Sequence, residues 1–308
     1  MTALGSGPEF ELIRSLQQRW GALASGVGDD AATLRIPRGD AMVVSTDAAF
    51  ENVHFRRDWL SLDEIGYRAT TAALSDLAAM AAEPRGILVA LALPAKDRDD
   101  ILQVADGIAK AVRAAATVIV GGNITRADTL SITTTVFGSA YAPLQRTAVR
   151  PDDRLYVTGT LGGPRVALRE LEAGRTPAAQ LRARFATPMA RIAEARWLAR
   201  AGAVAGIDIS DGLAADAGHL AAASDVALEL QVEHVPVIEG ASSDDALGGG
   251  EEFELLIAAH TAISTAEFEQ RFQLRLTEIG RAVAGSGVQI LRNGKRVAAP
   301  AGYDHFSA

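Results

Sequence analysis

Short apolar runs alternate with stretches of helical periodicity along this chain, and none is long. The longest, residues 87–93, stops at Pro94 and falls far below the ~18 residues that cross a bilayer, so it reads as a buried strand. Around it the first half predicts a helix over 9–20, a strand over 42–46, a helix over 61–82 opened by a Ser61/Glu64 capping box, a helix over 97–115, and strands over 118–120 and 130–137. That order, β-α-β-α-β-β behind a leading helix, belongs to an α/β or α+β domain. A polar turn at Arg150-Pro151 then precedes a fresh strand over 155–158. The second half predicts helices over 163–173 and 188–201, a strand over 204–209, a helix from Gly212, and a strand over 226–232. A strand over 253–259, a helix near Ala266 and strands over 278–283 and 288–291 complete it. At roughly 150 residues per domain, 308 residues make two domains, divided here as 1–149 and 150–308. Ser75-Asp76-Leu77 and Ser210-Asp211-Gly212 echo each other, too briefly to establish a duplicated unit.

Composition removes several kinds of chemistry. No cysteine is present, which excludes disulfides, thiolate metal sites and a cysteine nucleophile. Thirty basic against 38 acidic side chains give a net charge of −8 with no basic cluster, so a nucleic-acid backbone would be repelled. The five histidines never fall at a spacing that puts two on one helix face, which leaves oxygen ligands and therefore hard ions such as Mg²⁺. The start lacks the basic and apolar regions of a secretory signal, so the cytoplasm is the expected compartment and no membrane partner is expected.

Neither GxxxxGK[ST] nor GxGxxG followed by a helix occurs, which makes a P-loop or a Rossmann dinucleotide site a poor reading. Carboxylates instead gather at the ends of expected elements: Gly28-Asp29-Asp30, Ser45-Thr46-Asp47, Ser75-Asp76 and Asp208-Ile209-Ser210-Asp211, with the glycine-flanked Gly121-Gly122-Asn123. Each alone is equally what a turn or a helix cap would give. Together, acids gathered in one crevice repel unless cations lie among them, and Mg²⁺ carried by a nucleotide is a natural counter-charge. Spacing leaves open whether they converge.

The ordered set resembles the thiamine-monophosphate kinase family. Gly26-Val27-Gly28-Asp29-Asp30, Ser45-Thr46-Asp47 with Asn52-Val53-His54-Phe55, residues 74–80 and Gly121-Gly122-Asn123-Ile124-Thr125-Arg126 carry the likeness in the first half. Residues 207–213, Gly249-Gly250-Glu251-Glu252-Phe253-Glu254-Leu255 and Gly302-Tyr303-Asp304-His305-Phe306 continue it. The resemblance implies an aminoimidazole ribonucleotide synthetase-like α/β (α+β) fold of two domains, with mixed sheets flanked by helices. It also implies an N-terminal domain that binds ATP and Mg²⁺ and forms a homodimer, and a C-terminal domain that completes the nucleotide and substrate sites. The implied reaction is ATP-dependent phosphorylation of thiamine monophosphate to thiamine diphosphate.

By motif, Asp30, Ser45, Thr46, Asp47, Asp76, Asp208 and Asp211 look like ligands of several Mg²⁺ ions, with Asn123 where the family has an aspartate. Gly121, Gly122, Arg146 and Ser210 look like ATP contacts. His54, Glu251 and Tyr303 look like substrate contacts. Glu252 and Phe253 stand where Asp and Tyr are more usual. No general base is implied, because a phosphate monoester with a second pKa of about 6 is already mostly ionised at neutral pH. The alternatives are a nucleotide- or thiamine-phosphate-binding protein that has lost catalysis, suggested by Asn123, and another ATP-dependent member of the superfamily. Members that work through sulfur or selenium are disfavoured by the absence of cysteine.

Overall fold

A computed structural model of the chain describes residues 8–25 and 31–303, the side chains of residues 8–10, 96 and 98 excepted. Asp30 and residues 304–306 therefore lie outside the described residues. The chain forms two compact units, one running up to Leu77 with Ala82–Ala142, the other made of Ala78–Ala81 and the chain from Pro143.

The first unit holds α1 (Pro8–Trp20), β1 (Ala41–Phe50), α2 (Leu62–Ala79, whose last two residues pass to the second unit), β2 (Glu83–Leu93), α3 (Ile101–Ala114), β3 (Ile119–Arg126) and β4 (Ser131–Ala140). Its sheet has the order β1-β4-β2-β3, antiparallel except for the β2/β3 pair. Alternation fixes which side is covered: Ile87, Val89 and Leu91 of β2 and Ile132 and Val136 of β4 are buried, with their strand neighbours more open. Helix α3 buries Ile101, Val104, Ala105, Ile108 and Val112, the i, i+3, i+4, i+7 stripe that drives it onto the core. Helix α2 lies hard against it, since a Cβ at Gly107 would sit 1.8 Å from the carbonyl oxygen of Asp63 and one at Gly66 would sit 2.1 Å from that of Val104. Two glycines thus set the depth of the helix that carries Asp76. The capping box is present in part: the Ser61 backbone N–H donates to Glu64 Oε2 at 2.9 Å.

The second unit holds β5 (Arg154–Thr158), α4 (Gly163–Glu172), α5 (Ala179–Ala186), α6 (Ile192–Arg200), β6 (Ala203–Asp208), α7 (Leu213–Ser224), β7 (Ala227–Gln231) and α8 (Ser243–Gly248). It ends with β8 (Leu255–Ala259), α9 (Thr265–Phe272), β9 (Leu276–Val283), β10 (Gly287–Arg292) and β11 (Lys295–Val297). These strands form a sheet of order β11-β10-β7-β9-β5-β8-β6, with β10/β7 its parallel pair. Strand β8 is buried at every position between β5 and β6, which is why its sequence is an unbroken apolar run. The core gathers Leu155, Val157, Ile207, Leu220, Leu228 and Leu256.

Several elements differ from expectation. Strand β1 runs to Phe50, so Asp47 lies inside it rather than at its end. Strand β3 continues through Gly121, Gly122 and Asn123 to Arg126, because pairing with β2 overrides the weak strand preference of glycine. The predicted helix at 97 begins as a 3-10 turn, Ala95–Asp100. The predicted helix at 188 starts only at Ile192. Helices α5 and α8 and strand β11 are short and were not expected. The Ser-Asp echo is not structural either: Ser75-Asp76 lies within α2, whereas Ser210-Asp211 lies in the loop before α7.

Candidate active site

Three of the expected ligands meet in the first unit. Along β1 the side chains alternate, so Val43, Ser45, Asp47 and Ala49 share one side, and Met42, Val44, Thr46, Ala48 and Phe50 the other. Asp76 of α2 lies on the first side, where its Oδ2 accepts a hydrogen bond from Ser45 Oγ. Burial pushes the carboxyl of Asp47 up to about 6, and the neighbouring charge of Asp76 adds to the rise. Directly across the strand pair from Asp47 stands Thr134, wholly buried, whose Oγ1 has no hydrogen-bond partner among the described residues. Two acids and an orphaned hydroxyl, oxygen donors throughout, make a set that fits a hard cation with its waters.

Thr46 and Asn123 are not brought to that side. Thr46 Oγ1 bonds Thr135 Oγ1 at 3.0 Å on the opposite face of the sheet. The row Ala48–Thr133–Ala90–Asn123 places Asn123 on that same opposite face, at the exposed edge strand. Gly122 falls in the row of Asp47, and a Cβ there would meet the carbonyl oxygen of Val89 at 2.0 Å, so only glycine fits. Gly121 is less restricted, since its Cβ would meet only the end of the Leu88 side chain, at 2.9 Å. His54, just after β1, accepts the Phe50 backbone N–H at Nδ1 (3.1 Å), which puts the proton of its neutral ring on Nε2.

In the second unit, β6 ends at Asp208 and the chain turns through Ile209, Ser210, Asp211 and Gly212 into α7. Asp216, in the first turn of that helix, holds the turn together: its Oδ2 accepts the backbone N–H groups of Ser210 (3.0 Å), Asp211 (3.1 Å) and Gly212 (3.1 Å). Burial nonetheless raises its carboxyl to about 7; the Asp211 N–H works against that rise, while the charges of Asp208 and Asp211 reinforce it. Sequence reading passed over Asp216; its one local signal is an acid in the first turn of a helix that follows Asp-Gly.

The loop of residues 249–254 is laced to this turn. Glu251 N donates to Ser210 O (2.7 Å), Phe253 N to Ile209 O (3.0 Å) and Ile209 N to Glu254 O (2.8 Å). A Cβ at Gly250 would stand 2.5 Å from Ser210 O, so the approach requires glycine. Tyr303 N donates to Asp211 O at 3.0 Å, bringing the C-terminal segment to the same place. Asp208, Ser210, Asp211, Glu251 and Tyr303 therefore gather around one turn. Arg146 does not join them by its backbone: its carbonyl accepts from Ser224 Oγ at 2.5 Å, at the far end of the 12-residue α7, about 18 Å along the helix.

Glu252 and Glu254 are fully buried, a placement that sequence reading missed. Glu254 is gripped by Arg191 (2.8 and 2.6 Å), Arg184 (2.9 Å) and the Thr158 hydroxyl (2.7 Å). Burial disfavours its charge, but Arg191 and Arg184 outweigh burial and hold its carboxyl below the ordinary value. Burial dominates at Glu252 and raises it to about 8, against the opposing pull of Arg184. Their partners come from 63 to 96 residues earlier, so no local pattern announces them.

The AIR synthase related protein N-terminal domain model matches residues 28–140, and the AIR synthase related protein C-terminal domain model matches residues 150–292. Thiamine-monophosphate kinase of Methanopyrus kandleri is 35% identical over 296 residues, 92% of this chain and 91% of the relative. The crystal structure of thiamine-monophosphate kinase from Stenotrophomonas maltophilia superposes with a TM-score of 0.82 at 32% identity, covering 96% of this chain and 98% of its own. AaThiL complexed with AMPPCP and TMP superposes with a TM-score of 0.78 at 30% identity, covering 97% of both chains.

Proposed function

The chain belongs to the thiamine-monophosphate kinase family of AIR synthase related proteins, and from that membership we infer that it phosphorylates thiamine monophosphate with ATP to give thiamine diphosphate. The full-length likeness to curated kinases of that name carries this reading. The Ser45–Asp47–Asp76 group is its chemical counterpart, an acid pair that asks for a cation where a nucleotide kinase needs one.

In our reading Asp30, Ser45, Asp47 and Asp76 would hold Mg²⁺ in the first unit, the Thr46 hydroxyl being turned to the other face of the sheet. Asp208 and Asp211 would hold Mg²⁺ in the second unit. The metal, when bound, neutralises phosphate charge in the approach of two anions. The chain's own residues supply position. Gly121 and Gly122 keep strand β3 free of side chains beside the nucleotide phosphates, and Ser210 and Arg146 contact ATP. His54, Glu251 and Tyr303 take thiamine monophosphate, Glu251 facing its cationic end and Tyr303 stacking on an aromatic ring. The acceptor phosphate is mostly ionised at neutral pH, so no side chain removes its proton. Catalysis then consists of holding its oxygen in line with the γ-phosphorus.

Asn123 supplies a neutral oxygen where the family places a carboxylate. Because Asn123 lies on the face of the sheet away from Ser45, Asp47 and Asp76, Asn123→Asp is expected to leave the Mg²⁺ concentration for half-maximal activity within about twofold of wild type. A severalfold fall in that concentration would bring Asn123 into the ligand set.

We read the outer face of β1 as a homodimer contact. Met42, Val44 and Phe50 are exposed by 57%, 48% and 45% in a row on that face, an apolar stripe that a lone soluble domain seldom shows. Val44→Asp is expected to shift the protein from dimer to monomer in light scattering, with unaltered circular dichroism. No helix among the described residues is long and apolar enough to cross a membrane.

The decisive experiment resolves thiamine diphosphate and ADP after incubation of the protein with ATP, thiamine monophosphate and excess Mg²⁺. Equal, protein-dependent formation of both establishes the kinase. ADP alone points to another acceptor. Binding of both substrates without product favours the catalytically silent binding protein that Asn123 suggests.

A further inference from the structure

We propose that Arg184 is a positioning residue for thiamine monophosphate, acting through Glu252 on the loop that presents Glu251. The inference rests on the substrate role given to Glu251 above. Arg184 stands on α5 and reaches two separate pieces of chain. Its Nη2 donates to the carbonyl of Thr160, beyond the end of β5, at 3.2 Å, and to the carbonyl and Oε2 of Glu252, both at 3.5 Å. Its Nη1 lies 2.9 Å from Glu254 Oε1.

Glu254 has other partners in Arg191 and Thr158. Glu252 has fewer: among the described residues its side chain is bonded by Arg184 and by the Gly162 backbone N–H. Arg184 lies 2.9 Å from Glu254 and 3.5 Å from Glu252, so the guanidinium holds Glu254 firmly and Glu252 more weakly. One guanidinium therefore links the two buried acids of the loop.

The backbone around Glu252 explains why that link matters. Glu251 (φ 60°) and Phe253 (φ 52°) on either side are both left-handed, a conformation that side-chain-bearing residues hold only when their surroundings impose it. Two alternating sets of bonds impose it. The N–H groups of Glu251 and Phe253 bond outward to the Ser210 and Ile209 carbonyls, while the side chains of Glu252 and Glu254 bond inward to arginines. Loss of the inward bond at Glu252 lets the chain relax toward ordinary φ values and swings the Glu251 carboxylate off its heading. Ser210 and Asp211 stay where Asp216 holds them, so nucleotide contacts are spared.

The test uses the full chain and two independent readouts. In steady-state kinetics, Arg184→Met is expected to raise KM for thiamine monophosphate tenfold or more, with KM for ATP changed less than twofold and kcat less than threefold. Arg184→Lys, which keeps the charge but not the planar fork, is expected to restore part of the loss. In hydrogen exchange, the amides of Glu251 and Phe253 are expected to exchange at least tenfold faster in Arg184→Met, with β8 amides unchanged. If Arg184→Met does not fold, Arg184→Lys carries both measurements, with a threefold or larger rise in KM for thiamine monophosphate. Equal changes in both KM values, or exchange that rises across β8 as well, would overturn the proposal in favour of a structural role, and unchanged KM and exchange would remove it. Wild-type protein that forms no thiamine diphosphate would defeat the kinase reading instead, and the exchange experiment would still decide whether Arg184 holds the loop.

Discussion

Asp47→Asn is expected to slow thiamine diphosphate formation by about a hundredfold to a thousandfold while making the metal-free protein more stable above pH 6. The rate effect follows from losing one charge beside the transferring phosphoryl group, where removal of a single preorganised interaction commonly costs about 3–4 kcal/mol of transition-state stabilisation. The stability effect has the opposite sign because the acid pair works against folding when no cation is bound. Asp47 has its folded-state pKa raised to about 6 by burial and by Asp76, against about 3.9 in an unfolded chain. Below pH 4 both states are protonated there and Asp47 costs nothing. Between pH 4 and 6 the unfolded state gives up its proton first, so stability falls by about 1.4 kcal/mol per pH unit, to a total on the order of 2–3 kcal/mol that persists at higher pH. Asparagine has no such titration. Melting of chelator-treated protein at pH 4 and pH 8 should therefore show wild type and variant alike at the lower pH and the variant ahead by several degrees at the higher, at about 2–4 °C per kcal/mol. A variant that is inactive and also less stable at pH 8 would mean that Asp47 is a packing residue, and the metal assignment would fall with it.

The legible parts of the chain were those governed by local pattern. Apolar periodicity located most strands and helices, because burial on one face of β2 or α3 leaves its period in the sequence. The ordered acids were legible as a group, since Asp and Gly at element ends are visible one at a time. What could not be read was which side of the sheet each ligand faces. Thr46 and Asp47 are neighbours and so point opposite ways in a strand that runs to Phe50; placing Asp47 at a strand end hid that. Asn123 joins the row of Ala48 through two intervening strands, and such a register comes from tertiary pairing rather than from local sequence.

Buried polar residues were illegible for a related reason. Glu252 and Glu254 sit in a Gly-Gly-Glu-Glu-Phe-Glu stretch that reads as a solvated loop, yet both are fully buried because Arg184 and Arg191 come to meet them. Arg184 belongs to α5, a two-turn helix too short to leave a periodic signature. Asp216 was overlooked because its function is to satisfy the backbone of the turn that carries the motif, which no motif records.

Glu254→Ala is expected to be the most destabilising single change in the second unit, by about 3–5 kcal/mol, the usual cost of breaking a buried ion pair from one side. The deletion leaves Arg191, itself buried, without its bidentate partner. A guanidinium cannot escape by giving up its proton, so the charge stays in the interior with only the 3.5 Å contact to Glu194 to offset it. The Thr158 hydroxyl loses its acceptor as well, and that hydroxyl also accepts the Leu255 N–H at the start of β8. Because the carboxyl of Glu254 is held below its ordinary value, its contribution is complete above the unfolded-state pKa of about 4.3 and disappears as pH falls through the folded-state value. The difference from wild type should accordingly be a melting temperature lower by about 10 °C at pH 7, narrowing under acid conditions. The double variant Glu254→Leu/Arg191→Met separates the two causes of such a loss. If the stranded Arg191 cation is responsible, removing it together with its partner should recover at least half of the lost stability, since an apolar pair of similar volume often replaces a buried ion pair at little cost. A double variant no better than Glu254→Ala alone would instead assign the loss to the other groups that Glu254 holds, the Thr158 hydroxyl with the start of β8 and Arg184.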